Sequence, residues 1–293
     1  MPSLHDIRRR IKSVGNTSQI TKAMQMVAAS KMRRAQEAAR TTRPFAQLLY
    51  RIQRQATTHA PDDFTHPLLE VREVRKRAVI LVGTDKGLCG ALNSNLFHLV
   101  TQFDPATTLF ITVGKRAAQF IAHTGRQLVA EFTFSDSPRF EEARPIASCA
   151  RDLFLKRQVD QVQVVATRFI NTMTQEPVVV DYLPIGEIKI KGLKIPGVEP
   201  EADQAAGARQ FLFELSAASV LEYLFGHYLN IYIYRVLLEA KASEQSARMV
   251  AMKGASDNAT HLIKDLTLHY NNLRQGNITK ELLEIAGGQL GND

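Results

Sequence analysis

The stretch that decides the fold of this chain is 224–273, which reads LFGHYLNIYIYRVLLEAKASEQSARMVAMKGASDNATHLIKDLTLHYNNL. If it is stepped through alternately by four and three from Leu224 to Leu273, twelve of the fifteen positions are apolar or Tyr. So regular a period of 3.5 residues predicts one long helix that buries a coiled-coil seam. Three polar residues interrupt the seam, and we expect them to set register or to meet groups outside the pair: Arg235, Gln245 and Ser256.

Proline is absent from two long segments, one near each end of the chain, and both can therefore form long helices. None follows Pro200, so the C-terminal helix can extend over 207–287, roughly 120 Å at the α-helical rise. None lies in 3–43 either, which permits a second long helix at the other end of the chain. Ser3 is a good N-cap for it, with Asp6 at the capping-box distance. Its predicted apolar stripe is Leu4, Ile7, Ile11, Val14, Ile20, Met24, Val27, Met32 and Ala35.

Two long helices at opposite ends of one chain predict an antiparallel intramolecular coiled coil, formed by 1–57 and 207–287. The alternative is a dimer in which each helix pairs across chains. A compact middle domain brings its own two ends close together, which favours pairing within the chain.

The middle of the chain, 75–190, predicts a small α/β domain. Its first strand is the apolar run RAVILVG at 77–83, typical of a buried parallel strand. Strands at 108–113 and 127–134 alternate with helices at 91–103, 115–123 and 140–158, and a strand pair follows at 161–169 and 178–185. The predicted fold class is therefore α/β with long terminal helices, with a Rossmann-like central domain. Residues 186–206 predict a loop or short hairpin.

The positive charge of the chain is concentrated at its N-terminus. The formal net charge is +8, and 1–57 holds twelve Lys and Arg against only Asp6 and Glu37. Such asymmetry indicates a basic surface for an acidic partner, which could be nucleic acid, lipid headgroups or a protein face. The absence of interleaved aromatic residues argues against single-stranded nucleic acid.

No arrangement of residues predicts catalysis, a cofactor or a metal. Cys89 and Cys149 are sixty residues apart and form neither a metal motif nor a redox pair. No run of apolar residues is long enough to span a membrane. The segment Gly83–Gly90 (GTDKGLCG) joins a strand to a helix, where phosphates bind in many α/β proteins, but its spacing matches no phosphate-binding motif. We interpret it as a tight turn; a nucleotide-binding enzyme that uses this turn is the alternative.

Three segments resemble the gamma subunit family of F-type ATP synthases: Ile20–Gln36 (ITKAMQMVAASKMRRAQ), Asp85–Asn95 (DKGLCGALNSN) and Glu244–Asn258 (EQSARMVAMKGASDN). The resemblance covers essentially the whole chain in order. It implies a non-catalytic central rotary shaft, whose terminal helices turn inside a ring of three alpha and three beta subunits. The middle domain would contact the epsilon subunit and the c-subunit ring. It also implies a peripheral place on the cytoplasmic face of the bacterial inner membrane, and no nucleic-acid partner.

Roles for individual residues follow from the same resemblance. Contacts with the alpha and beta ring fall on Met24, Arg9, Lys12, Lys31, Arg33, Arg34, Arg274, Gln275, Thr279 and Glu281. Contacts with the c-ring or epsilon fall on Phe211, Phe213 and Glu214. The family often has tyrosine at the two phenylalanine positions. Two readings compete with the shaft: a coiled-coil protein that binds double-stranded nucleic acid, and the nucleotide-binding enzyme named above.

Overall fold

The computed structural model describes residues 3–58, 66–185 and 217–289. The helices are α1 (Leu4–Thr58), α2 (Leu92–Val100), α3 (Lys115–His123), α4 (Phe140–Leu155) and α5 (Ala217–Gln289), with a short 3-10 helix at Pro67–Leu69. The strands are β1 (Arg77–Val82), β2 (Thr108–Val113), β3 (Gln127–Phe132), β4 (Gln161–Phe169) and β5 (Gln175–Leu183). The predicted fold class is confirmed. The described ends of the elements differ from the predicted ones by a few residues, but 207–216, the predicted beginning of the C-terminal helix, lies outside the described residues. The predicted loop at 186–206 lies outside the described residues.

The chain forms two compact units. One combines Met1–Ala28 with Arg248–Asp293, and the other is Ala29–Ala247. Both α1 and α5 continue without a break from one unit into the other, and α1 also continues through Pro44. The N-terminus of α1 is held as predicted, since the Ser3 hydroxyl donates to Asp6 Oδ2 at 2.7 Å and the Asp6 N–H donates to Ser3 Oγ at 3.2 Å.

The seam of α5 is where the heptad pattern predicts it. In 253–283 the positions that are at least half-buried are Ala255, Ser256, Ala259, Ile263, Leu266, Tyr270 and Leu273, and the other side chains are exposed. Every predicted seam position from Leu224 to Leu273 is partly or wholly buried. The period of 3.5 residues therefore describes the packing of α5 from Met252 to Leu273. Between Leu224 and Ala251 every residue is at least half-buried, so the seam does not stand out there.

The seam of α1 differs from the predicted stripe. Ile20 and Val27 are 59% and 53% exposed, so their assignment to the stripe was wrong. The buried positions are instead Thr21 and Ala28, which continue a seven-residue repeat from Ile7. Ile20 and Val27 each precede a seam residue by one position, which turns them about 100° away around the helix. Small residues in the seam let the two helix backbones approach closely.

The two helices of this unit pair in antiparallel fashion within one chain. Ser18 Oγ and Ser256 Oγ lie 3.5 Å apart, and both are seam positions. An antiparallel pair in this register brings the first turn of α1 beside residues near 270 of α5. Beyond Leu273 the side chains of 274–283 are all exposed, as expected where α1 has ended. The polar interruption at Ser256 is thus met by another small polar residue of the pair.

The other unit is built on a five-stranded sheet in the order β3-β2-β1-β4-β5. The first four strands are parallel, and β5 is antiparallel to β4. On one face, β1 and β2 residues pack with α2 and α3 around Leu96, Phe110 and Ile121. On the other face, the sheet packs with α4 and with α5 from Phe225 to Ala240. The base of α5 is therefore part of the domain core.

Gly114, at the end of β2, gives a prediction about stability. Its φ is +97°, and a Cβ there would lie 2.7 Å from the carbonyl oxygen of Gly83. We expect Gly114→Ala to lower the free energy of unfolding by about 2–3 kcal/mol, because a strained backbone angle and a backbone clash combine. The control is Gly125→Ala, where φ is +64° with nothing within 4 Å, and about 1 kcal/mol is expected. Equal losses in urea unfolding of the two full-length variants would contradict this packing.

Candidate functional site

The N-terminal helix presents a largely uncompensated basic surface. The exposed basic side chains in 3–42 are Arg8, Arg9, Arg10, Lys12, Lys22, Arg33, Arg34 and Arg40. Among the described side chains of 3–42, Lys31 is the one basic residue with a carboxylate within 4 Å. Asp6 precedes the first of these residues by two positions. Hydrogen bonds from Ser3, and more weakly the charges of His5 and Arg9, lower the pKa of its carboxyl.

The other residues assigned to the ring are placed as follows. Met24 is half-buried on α1. Arg274, Gln275, Thr279 and Glu281 are exposed on α5, beyond the end of the paired seam. The Thr279 hydroxyl donates to the carbonyl of Gln275 at 2.9 Å, so it is engaged with its own helix. Phe211, Phe213 and Glu214 lie outside the described residues.

Lys31 is joined to the α/β domain by a charged network. Its Nζ donates to Asp136 Oδ2 at 2.5 Å. The other oxygen of Asp136 lies 3.1 Å from Nζ of Lys241, a residue of α5 that is only 3% exposed. Lys241 also pairs with Glu244 at 3.1 Å and lies over the ring of Phe134. The network connects α1, the loop after β3 and α5, so the charge of Lys31 is satisfied inside the chain.

The Asp136 carboxyl gives a prediction about pH. The hydrogen bonds from Lys31 and Lys241 lower its pKa from 3.8 to about 2. Because the pKa of Asp136 is lower in the folded state than in the unfolded state, its ionised carboxylate stabilises the fold at pH values above 3.8. This stabilisation is lost as the pH falls to about 2. We expect wild type to be more stable than Asp136→Asn at pH 5.5, by less than about 1 kcal/mol because the side chain is largely exposed. Urea midpoints of the two full-length chains should converge near pH 2, and a constant difference across this range would contradict the pairing.

A second set of polar contacts joins α5 to the hairpin between β4 and β5. The Phe169 N–H donates to Glu239 Oε1 at 3.1 Å, and Ser243 Oγ donates to the carbonyl of Thr167 at 3.2 Å. Ser246 Oγ donates to the carbonyl of Thr172 at 2.8 Å. Burial raises the pKa of the Glu239 carboxyl, while the Phe169 N–H and the charges of Arg235 and Arg168 oppose that rise.

Sequence reasoning missed these hairpin contacts. Their signal was the segment 239–248 (EAKASEQSAR), which is rich in polar residues and of which the seam analysis registered only Gln245. Ser243, Glu244, Gln245 and Ser246 are each 3% exposed or less. Buried polar groups of this kind need hydrogen-bond partners, and here the hairpin provides several of them.

In the turn at Gly83–Gly90, side chains hydrogen-bond to neighbouring groups of the protein. It follows β1, beside the point where the strand order reverses and where doubly wound sheets bind ligands. However, the Asp85 carboxylate accepts from the Lys115 N–H at the start of α3, at 3.0 Å, so this side chain already engages a helix N–H group that could otherwise contact an anion. The Thr84 hydroxyl donates to the Lys86 carbonyl and accepts from Asn93 at 2.8 Å. These contacts support the interpretation as a structural turn.

Two other kinds of site are absent from the described ranges. None of the helices there is both long and apolar enough to cross a bilayer. In the same ranges, no three His, Cys, Asp or Glu side chains are grouped so that they could hold a metal ion.

Taken together, the fold and the surface define a class of protein: an α/β domain whose chain ends form one antiparallel coiled coil with a basic N-terminal helix. The family model described as ATP synthase matches residues 3–290. The ATP synthase gamma chain of Opitutus terrae is 48% identical over 99% of this chain and 98% of its own length. That of Methylacidiphilum infernorum is 39% identical over 99% of both chains.

Solved structures agree on the fold. A chain of the mitochondrial ATP synthase of Euglena gracilis matches with a TM-score of 0.69 at 19% identity, over 98% of this chain and 94% of that one. The family model and the relatives at 48% and 39% identity show that the chain belongs to the ATP synthase gamma chain family.

Proposed function

We propose that this chain is the central rotary shaft of an F-type ATP synthase. It couples ion-driven rotation of a c-subunit ring to conformational change at catalytic beta subunits, and it performs no bond chemistry itself. The observation that carries the proposal is the antiparallel coiled coil that ends at Leu273 while α5 continues with every described side chain exposed. In a shaft, the exposed faces of α1 and α5 would be covered by surrounding subunits rather than by this chain.

The partners follow from charge and position. Exposed Arg9, Lys12, Arg33 and Arg34 are suited to acidic loops of an alpha and beta ring. Met24 supplies an apolar contact, and Arg274, Gln275, Thr279 and Glu281 supply polar contacts at the far end of α5. Lys31 can contribute only through the face of its side chain that Asp136 leaves uncovered. Phe211, Phe213 and Glu214 remain our candidates for the c-ring or epsilon.

The complex would place this chain at the cytoplasmic face of a bacterial inner membrane, as a peripheral subunit. In thermodynamic terms, the orientation of an asymmetric shaft biases the populations of the beta-subunit conformations. A nucleic-acid-binding coiled coil is the competing function on charge alone. It predicts strongly salt-dependent binding of duplex DNA by the isolated chain.

Charge reversal on α1 tests the ring contacts. We expect Arg33→Glu with Arg34→Glu to lower ATP hydrolysis by the assembled complex roughly tenfold, because attractions to acidic loops become repulsions. The matched control is Lys156→Glu with Arg157→Glu, an adjacent basic pair at the end of α4, for which unchanged hydrolysis is expected. Equal effects of the two pairs would remove the assignment of Arg33 and Arg34.

A further inference from the structure

The base of α5 is held from two opposite sides. Glu239, Ser243 and Ser246 share one face of the helix, at steps of four and three, and all three contact the β4–β5 hairpin. Lys241 follows Glu239 by two residues, which places it about 200° around the helix. There it pairs with Asp136 in the loop after β3. The hairpin and this loop belong to opposite edges of the sheet, since β3 is one edge strand and β5 is the other.

The attachment on the hairpin side is itself rigid. The turn of the hairpin is closed by Asn171, whose Oδ1 accepts from the N–H groups of Met173 and Thr174 at 2.8 Å each. Gln175 Nε2 donates to the carbonyl of Thr172 at 3.1 Å and lies 3.4 Å from Ser246 Oγ. The Thr172 carbonyl that accepts from Ser246 therefore belongs to an ordered turn, and the Thr167 carbonyl that accepts from Ser243 belongs to β4.

The loop on the other side is fixed in the same way. The Glu142 carboxylate accepts from the N–H groups of Ser135 and Arg139, at 3.1 and 2.8 Å, which pins both ends of the loop to α4. Asp136 lies between them and also receives Lys31 of α1. One carboxylate therefore connects both long helices to the domain.

We propose that these contacts form a torsional clamp: Glu239, Ser243 and Ser246 on the hairpin side, and Lys241 with Asp136 and Lys31 on the other. A helix held on one face can roll about its axis. A helix held on opposite faces resists that rotation, because any roll must break contacts on both sides. The clamp residues are positioning residues, which pass torque from the domain into α5 and thus along the same continuous helix to Gln289. The inference rests on the proposed function.

The test uses the whole membrane-bound complex in inverted vesicles, with ATP hydrolysis and ATP-driven ion uptake measured together. The variant is Glu239→Met with Asp136→Asn, which weakens both sides. We expect hydrolysis to be largely retained, while ion uptake per ATP falls about threefold or more, as expected for loss of coupling contacts. Glu239→Gln is the conservative variant, and since its amide oxygen can still accept from Phe169, it should restore coupling on that side.

The outcomes separate the clamp from a purely structural role and from the shaft itself. If the double variant loses hydrolysis and uptake in proportion, with their ratio unchanged, the contacts only stabilise the fold and the clamp is overturned. If the double variant does not assemble, Ser246→Ala decides, since it deletes one hydroxyl and should still lower the ratio; an unchanged ratio overturns the clamp. If uptake in the wild-type complex does not depend on this chain at all, the proposed shaft function fails as well.

Discussion

Replacing Lys241 by methionine is expected to lower the free energy of unfolding of the full chain by about 3–5 kcal/mol, the usual loss when one partner of a buried ion pair is removed. Lys241 and Glu244 are 3% and 4% exposed at the side chain and lie 3.1 Å apart. Methionine fills much the same volume, so the loss would come from the ion pairs of Lys241 with Glu244 and with Asp136, both of which the substitution removes. Urea unfolding of the full-length chain measures it.

Two further variants define what the Lys241 result means. In Lys241→Met with Glu244→Met both charges are gone, and most of the lost stability should return, because an apolar pair can replace a buried ion pair at little cost. Lys253→Met removes an exposed lysine of the same helix and should change stability by less than about 0.5 kcal/mol. If Lys241→Met lowered the free energy of unfolding by no more than Lys253→Met does, the buried ion pair would be contradicted.

The second large effect is expected at Ile7, which is 4% exposed in the α1 seam. Ile7→Asp should cost about 3–5 kcal/mol in local stability of the coiled coil, because it removes a buried side chain and buries a carboxylate. An acid near a helix N-terminus gains only about 0.3–1 kcal/mol from the helix dipole, too little to compensate. Ile20→Asp is the matched control, since Ile20 is 59% exposed on the same helix.

Hydrogen exchange resolves this pair of variants segment by segment. For Ile7→Asp, protection should be lost in the first turns of α1 and in α5 near 263–273, while the sheet keeps its protection. For Ile20→Asp, protection should be unchanged in all three. Equal loss for both variants would restore the stripe predicted from the sequence and refute the observed seam.

The success and failure of sequence reasoning here have the same origin. In α5 the seam residues from Met252 to Leu273 are mostly large and apolar, so the heptads can be read directly. In the middle of α1 the seam passes through Thr21 and Ala28, and the larger Ile20 and Val27 face outward. The apolar character of Ile20 and Val27 therefore led to a wrong seam assignment, because close helix packing favours small side chains over large ones.

The clamp could not be predicted from the sequence for a different reason. Ser243 and Thr167 are 76 residues apart along the chain, and Lys31 and Asp136 are 105 apart. No local pattern encodes such pairings, which depend on the strand order that brings the hairpin and the β3 loop to opposite sides of α5. The polar residues in 239–248 indicate that hydrogen-bond partners exist, but only the fold shows that these partners lie in the hairpin and in the loop after β3. The assigned ring and c-ring contacts depend on other subunits and stay predictions.

The central claim, that this chain is the shaft of a rotary ATP synthase, is tested most directly by co-expression with the alpha and beta subunits of the same organism. The purified complex would be assayed for sustained ATP hydrolysis, with and without this chain. We predict a complex with one copy of it per three alpha and three beta subunits, whose turnover depends on its presence. Failure to form that complex, or turnover indifferent to the chain, would contradict the account.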